Sequence, residues 1–158
     1  RLFKSAAELR VMKEAGEISA RAHVRAMKAS KAGVMEYQLE AEILHEFHRS
    51  GARFPAYNTI VGAGKNGCIL HYTDNSSQLK DGDLVLIDAG SEYQGYTADI
   101  TRTFPASGKF SPEQAAVYQV VLNAQYAACA QVKPGNKFKD ALDAACLELT
   151  KGLLELGI

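Results

Sequence analysis

Apolar side chains recur every three or four positions through the first fifty residues and then switch to shorter, strand-like groupings. Leu9, Met12, Ala15, Ile18, Ala22 and Ala26 form one stripe on a charged rod, the signature of an amphipathic helix. Ser5 is placed to cap it, with Glu8 three residues later in capping-box spacing, and Lys31-Ala32-Gly33 reads as its basic, glycine-stopped end. A second helix is predicted from about Glu36 to Ser50, with Leu39, Ile43 and Phe47 four apart and Gly51 as its stop.

Beyond Gly51 the period changes. Asn58 to Gly62 is β-prone, and turn residues at Gly62, Gly64, Asn66 and Gly67 precede a second expected strand over Ile69-Leu70-His71-Tyr72. Asp81-Gly82-Asp83 is a turn, Leu84 to Ile87 a short apolar strand, and Tyr96 to Phe104 its Thr-rich return. Ser111-Pro112-Glu113 opens a third helix with the stripe Ala116, Val120, Ala124 and Ala127. Pro134-Gly135 ends it, and a last helix runs from about Lys137 to Leu156. Helix, helix, antiparallel strands, helix, helix is an α+β order. Helices are expected to cover one sheet face, burying Leu9, Met12, Ile18, Leu39, Ile43 and Val120.

Composition narrows the function classes. Among 158 residues, Lys plus Arg and Asp plus Glu both number 18, so there is no electrostatic footprint for nucleic acid or an anionic membrane surface. No apolar run approaches the roughly 20 residues of a membrane helix. Cys68, Cys129 and Cys146 are odd in number and far apart. They read as reduced thiols in core positions of a cytoplasmic protein. The start at Arg1 and the apolar end Leu156-Gly157-Ile158 give the expectation of a piece of something longer.

Residues 81 to 103 hold Asp81, Asp83, Asp88, Glu92 and Asp99 against a single basic side chain, Arg102. Asp81, Asp83 and Glu92 fall in turns, where solvation accounts for them. Asp88 and Asp99 fall inside strand patterns, where aspartate is disfavoured. A hairpin centred between Tyr93 and Gln94 would set them directly opposite, with Cβ atoms about 4.5–5.5 Å apart. Two carboxylates so close repel and need a cation or a shared proton. By alternation Arg102 points to the other face. Three readings stay open on this pattern: a hard divalent metal site, a proton-sharing acid pair, or an accidental pair of edge aspartates. Of the histidines, His23, His45 and His48 lie in helical segments and read as surface or helix-packing residues. His71 is either a satisfied core histidine or a residue facing the aspartates across the sheet.

The run from Asp81 through Asp88-Ala-Gly, continued by Tyr96-Thr-Ala-Asp-Ile-Thr-Arg-Thr-Phe-Pro and Gly108-Lys-Phe, closely resembles the aminopeptidase P branch of the pita-bread metallopeptidases. Tyr57-Asn-Thr-Ile-Val-Gly, Asn66-Gly-Cys-Ile-Leu-His-Tyr-Thr and Asn75 fit the same branch, as does the opening helix. The resemblance covers essentially the whole chain and implies that residues 1–158 are the N-terminal half of a pita-bread catalytic domain. It implies an enzyme that removes the first residue from peptides with proline at the second position, using two divalent ions, manganese by expectation. Carried over by motif, Asp88 resembles the aspartate that chelates one ion and Asp99 the one that bridges both. His71 resembles the catalytic histidine that contacts substrate outside the metal shell, and Tyr57 a tyrosine that supports the bridging aspartate. The remaining three ligands of the family's five would lie beyond Ile158. On this reading the 158 residues alone are inactive and self-associate or meet a complementary chain. The alternative class is a non-catalytic pita-bread module that binds peptides or proteins.

Overall fold

The computed structural model describes residues 3–158, which divide into two compact units between Lys109 and Phe110. In the first, helices α1 (Ala6–Ala29) and α2 (Glu36–Arg49) precede strands β1 (Phe54–Pro55) and β2 (Ile60–Ala63). A 3₁₀ helix (Gly64–Cys68) follows, then β3 (Leu84–Asp88), β4 (Ser91–Tyr93), β5 (Tyr96–Thr97) and β6 (Thr101–Pro105). The second unit is the helix pair α3 (Pro112–Ala130) and α4 (Phe138–Leu156).

The expected capping box is present: Ser5 Oγ accepts from Glu8 N at 3.3 Å and Glu8 Oε2 accepts from Ser5 N at 2.6 Å. Helix α1 ends at Ala29, ahead of the expected glycine stop; Gly33 serves instead in the following turn at φ 92°. Ile18, Leu39, Ile43 and Phe47 are fully buried against Val61, Val85 and Ile87, each such side chain stabilising the fold by roughly 1.5–3 kcal/mol. Leu9, expected inside, is exposed, since burial along α1 begins only at Ala15; Met12 and Val120 are half-buried. In the second unit α3 and α4 pack closely enough that a Cβ on Gly152 would lie 2.5 Å from Val120 Cγ1. All three cysteines are free and exposed, which corrects the expectation of core thiols.

The strands form two three-stranded antiparallel sheets, ordered β1-β4-β5 and β2-β3-β6. Each pair β1/β2, β4/β3 and β5/β6 is one run of chain that passes from one sheet to the other. The sheets are therefore two leaves of a single ribbon creased across residues 56–59, 89–90 and 98–100. The expected continuous return strand from Tyr96 to Phe104 is broken by this crease.

Two further expectations fail for local reasons. The hairpin turns at Gln94-Gly95, both at positive φ (51° and 82°), as a two-residue hairpin loop prefers. The register therefore places Asp88 opposite Thr101 rather than Asp99. Residues 69–72 form no strand. A Cβ on Gly62 would lie 2.8 Å from Gly67 N, so the 3₁₀ helix folds back tightly on β2. The chain then leaves through a turn in which Leu70 is 86% exposed and His71 sits at φ 55°.

Candidate metal centre

Asp88, Asp99 and Tyr57 meet at the crease. Asp88 ends β3 and Asp99 lies just before β6, where the hairpin register sets it opposite Gly90. The shift from the expected register is two residues, an even number, so it leaves both carboxylates on one face. Gly90 is required here: a Cβ on it would fall 1.7 Å from Ala98 O. Tyr57 comes from the third run. Ala56 N donates to Gly90 O at 2.8 Å while Ile60 pairs with Asp88, so four steps on the β1/β2 run match two on its neighbour. The two surplus residues bulge outward and bring Tyr57 over the carboxylates. Buried Asn75 secures the bulge, taking Val61 N on its Oδ1 at 2.9 Å and donating to Thr59 O at 2.9 Å.

Tyr57 Oη stands 2.5 Å from Asp88 Oδ1 and 3.1 Å from Asp99 Oδ1. The two carboxylate oxygens are thus no further apart than those distances combined. One hydroxyl proton serves both, chiefly the nearer. Burial, reinforced by the Asp88 hydrogen bond and charge, pushes the Tyr57 phenol well above its ordinary range, so it stays a neutral donor. Neither carboxylate forms an ion pair among the described residues. Arg102 instead donates from Nη1 to Thr101 O at 2.8 Å. Asp88 is half-buried and Asp99 exposed, leaving oxygen lone pairs open on one side. Such oxygens suit a hard divalent cation, and two carboxylates fill part of its shell. Among the described residues no cluster of three His, Cys, Asp or Glu side chains completes it.

His71 is not brought to the pair: it is exposed in its left-handed turn, and no hydrogen bond among the described residues links it to Asp88, Asp99 or Tyr57. Its loop is nevertheless anchored, through a residue that reading the sequence passed over. Glu36, the first residue of α2, is fully buried and accepts from Ala63 N, Asn66 Nδ2, Tyr72 Oη and Ser77 N at 2.8, 3.0, 2.8 and 2.9 Å. Asn66 and Tyr72 flank His71 on both sides, so this carboxylate fixes the two ends of the His71 turn.

A second overlooked group lies beneath the crease. His23 on α1 is buried, with Nε2 3.1 Å from Ala89 O. Burial lowers its pKa, outweighing the pull of the Ala89 and Ile100 carbonyls toward the protonated ring. Its place on the small-residue face with Ala15, Ser19, Ala22 and Ala26 was the available signal, because a lone imidazole on such a face must find a partner.

The profile of metallopeptidase family M24 matches residues 10–157. The chain belongs to that family. It is 52% identical over 158 residues to the Xaa-Pro aminopeptidases of Escherichia coli and Haemophilus influenzae, covering all of this chain but 36% and 37% of theirs. The solved structure of Pseudomonas aeruginosa aminopeptidase PepP matches 99% of this chain and 36% of its own, with TM-score 0.98 and 54% identity. A Glu-to-Ala variant of Escherichia coli aminopeptidase P in complex with substrate, and the Zn-substituted enzyme in complex with product, match over the same shares at TM-score 0.97 and 52% identity. The architecture is that of part of a pita-bread M24 enzyme, as the motifs implied. The chain spans little more than a third of the length of these relatives.

Proposed function

We propose that the protein is a metal-dependent aminopeptidase that removes the first residue from peptides with proline at the second position. The observation that carries this reading is the carboxylate pair joined by one phenol and without an ion pair among the described residues, in a chain of this family. In this reading residues 1–158 are one part of a catalytic domain. Asp88 and Asp99 would together hold the divalent ions, manganese being the proposed metal. The bound ions would supply Lewis acidity and a water of lowered pKa.

The chain's own residues do the rest by position and charge. Tyr57 keeps its proton on Oη, donates it to Asp88 Oδ1 and so turns the remaining carboxylate oxygens outward. Gly90 allows the backbone approach that holds Asp99 beside Asp88. His71, on an exposed turn whose ends are pinned by Glu36, is available to donate to a substrate oxygen as negative charge develops there. A cytoplasmic location belongs to the same reading and is supported by three unpaired cysteines. No helix among the described residues is long and apolar enough to cross a membrane.

The full protein should hydrolyse an Xaa-Pro peptide, lose activity on chelation and regain it with Mn(II). His71→Ala should lower turnover at near-normal metal content. Activity untouched by chelation would defeat the metal assignment, and metal lost from His71→Ala would make His71 a ligand.

A further inference from the structure

At the crease the hairpin gives up half of its backbone ladder to helix α1. An antiparallel hydrogen-bonded pair exchanges two N–H···O bonds. Ala89 N donates to Ile100 O at 3.0 Å, but the return bond to Ala89 O is absent among the described residues, and His23 Nε2 takes that oxygen at 3.1 Å. Two positions on, Ala98 N donates to Ser91 O at 3.0 Å, while Ser91 N turns to Ser19 Oγ at 2.9 Å. The diverted rungs are those on either side of Gly90 and Asp99. The helix thus captures one backbone group at each rung and opens the hairpin where the two aspartates must converge.

His23 does this at a cost that simple packing does not require. A carbonyl oxygen only accepts, so the ring is the Nε2–H tautomer, and its Nδ1 is buried with no partner. An apolar side chain of equal size would fill the volume without an orphaned nitrogen. What only a donor supplies is a grip on the Ala89–Gly90 peptide, one residue beyond Asp88. The Ser19–Ser91 contact on the same helix face is the comparison: it is equally buried and fastens helix to hairpin, but acts three residues from Asp88.

We infer that His23 is a positioning residue for the metal pair, its Nε2–H holding the Ala89 carbonyl and thereby setting the direction in which Asp88 presents its oxygens. The inference rests on the metal reading of Asp88 and Asp99 given above. Outer contacts of this kind change metal affinity by about 10–100-fold when removed.

The test is titration of the full metal-free protein with Mn(II) by calorimetry, with thermal unfolding of each metal-free variant alongside. His23→Met keeps size and loses the donor; it should bind Mn(II) about 10–100-fold more weakly. His23→Gln restores an N–H donor and should recover binding to within about threefold of wild type. Ser19→Ala should lower the unfolding temperature and leave Mn(II) affinity within about twofold. Wild-type affinity in His23→Met, or equal losses in His23→Met and Ser19→Ala, overturns the positioning role. If His23→Met does not fold, His23→Asn, whose amide stops a methylene short, replaces it with the same two outcomes. The metal reading fails separately: wild type that takes up no Mn(II), or Asp88→Ala that binds like wild type, removes both claims.

Discussion

Glu36 and the Asp88/Asp99 pair are carboxylate sites in the same compact unit, and they are put to opposite uses. Glu36 is sealed at the start of α2 with four donors spread over its two oxygens, two of them backbone N–H groups. Its hydrogen-bonding capacity is consumed by the protein, and the positive end of the helix adds to the balance. Asp88 and Asp99 have one phenol between them, an open side and, among the described residues, no ion pair. Burial alone would rank the two sites the wrong way round, because the more buried carboxylate is the structural one. Accounting for donors separates them: a carboxylate whose lone pairs are satisfied holds chain together, and one left wanting is ready for a cation.

The comparison breaks most visibly at Asp99. In the full protein Asp99→Asn should lower Xaa-Pro hydrolysis with added Mn(II) by more than about a hundredfold, exceeding the cost of outer-contact changes. Asp81→Asn, in an exposed turn, should stay within about twofold of wild type. Comparable activities of the two would contradict the assignment. Glu36→Gln should do the reverse. Its amide turns two N–H groups toward donors, and the expected loss of stability is about 3 kcal/mol by urea titration, with Mn(II) binding retained. Tyr57→Phe sharpens the contrast further, since it removes the single donor the pair has. About a tenfold loss in Mn(II) affinity, with little change in unfolding temperature, is the expected result.

The smallest effect is a pH-dependent one at a third carboxylate. Tyr96 Oη donates to Glu8 Oε1 at 2.6 Å, and with the Ser5 contacts it holds the Glu8 carboxyl at about 2 against an ordinary 4.5. A depressed folded-state value means the contribution is present above pH 4.5 and fades as pH falls toward about 2. Tyr96→Phe should therefore narrow the difference between urea midpoints measured at either end of that window. An unchanged difference would show that the bond does not survive in solution.

Much of this was legible in the residues, unevenly. The α1 and α2 helices, the Ser5–Glu8 box and the Ser111-Pro112 start are local signals and fold as read, except that Leu9 at the head of the α1 stripe stays exposed. The pairing of Asp88 with Asp99 was legible through side-chain parity, which survives a two-residue register shift, whereas the register itself depended on Gln94 accepting a positive φ. The stretch from Ile69 to Tyr72 looked like a strand because it is apolar and follows turn residues. The deciding interactions, Asn66 and Tyr72 on Glu36, span 30 and 36 positions and leave no local trace. His23 and Glu36 escaped for a related reason: each resembles an ordinary helix residue until the strand brought against it is known.

The most direct test of the central claim is a crystal structure of the full protein grown with Mn(II), with anomalous scattering recorded for manganese. The account predicts anomalous peaks within about 2.0–2.6 Å of Asp88 and Asp99 oxygens, the range for hard divalent ions, with Tyr57 still on Asp88 and none at Glu36. Peaks absent from the Asp88/Asp99 crease, or a Lys or Arg side chain seated there in their place, would contradict it.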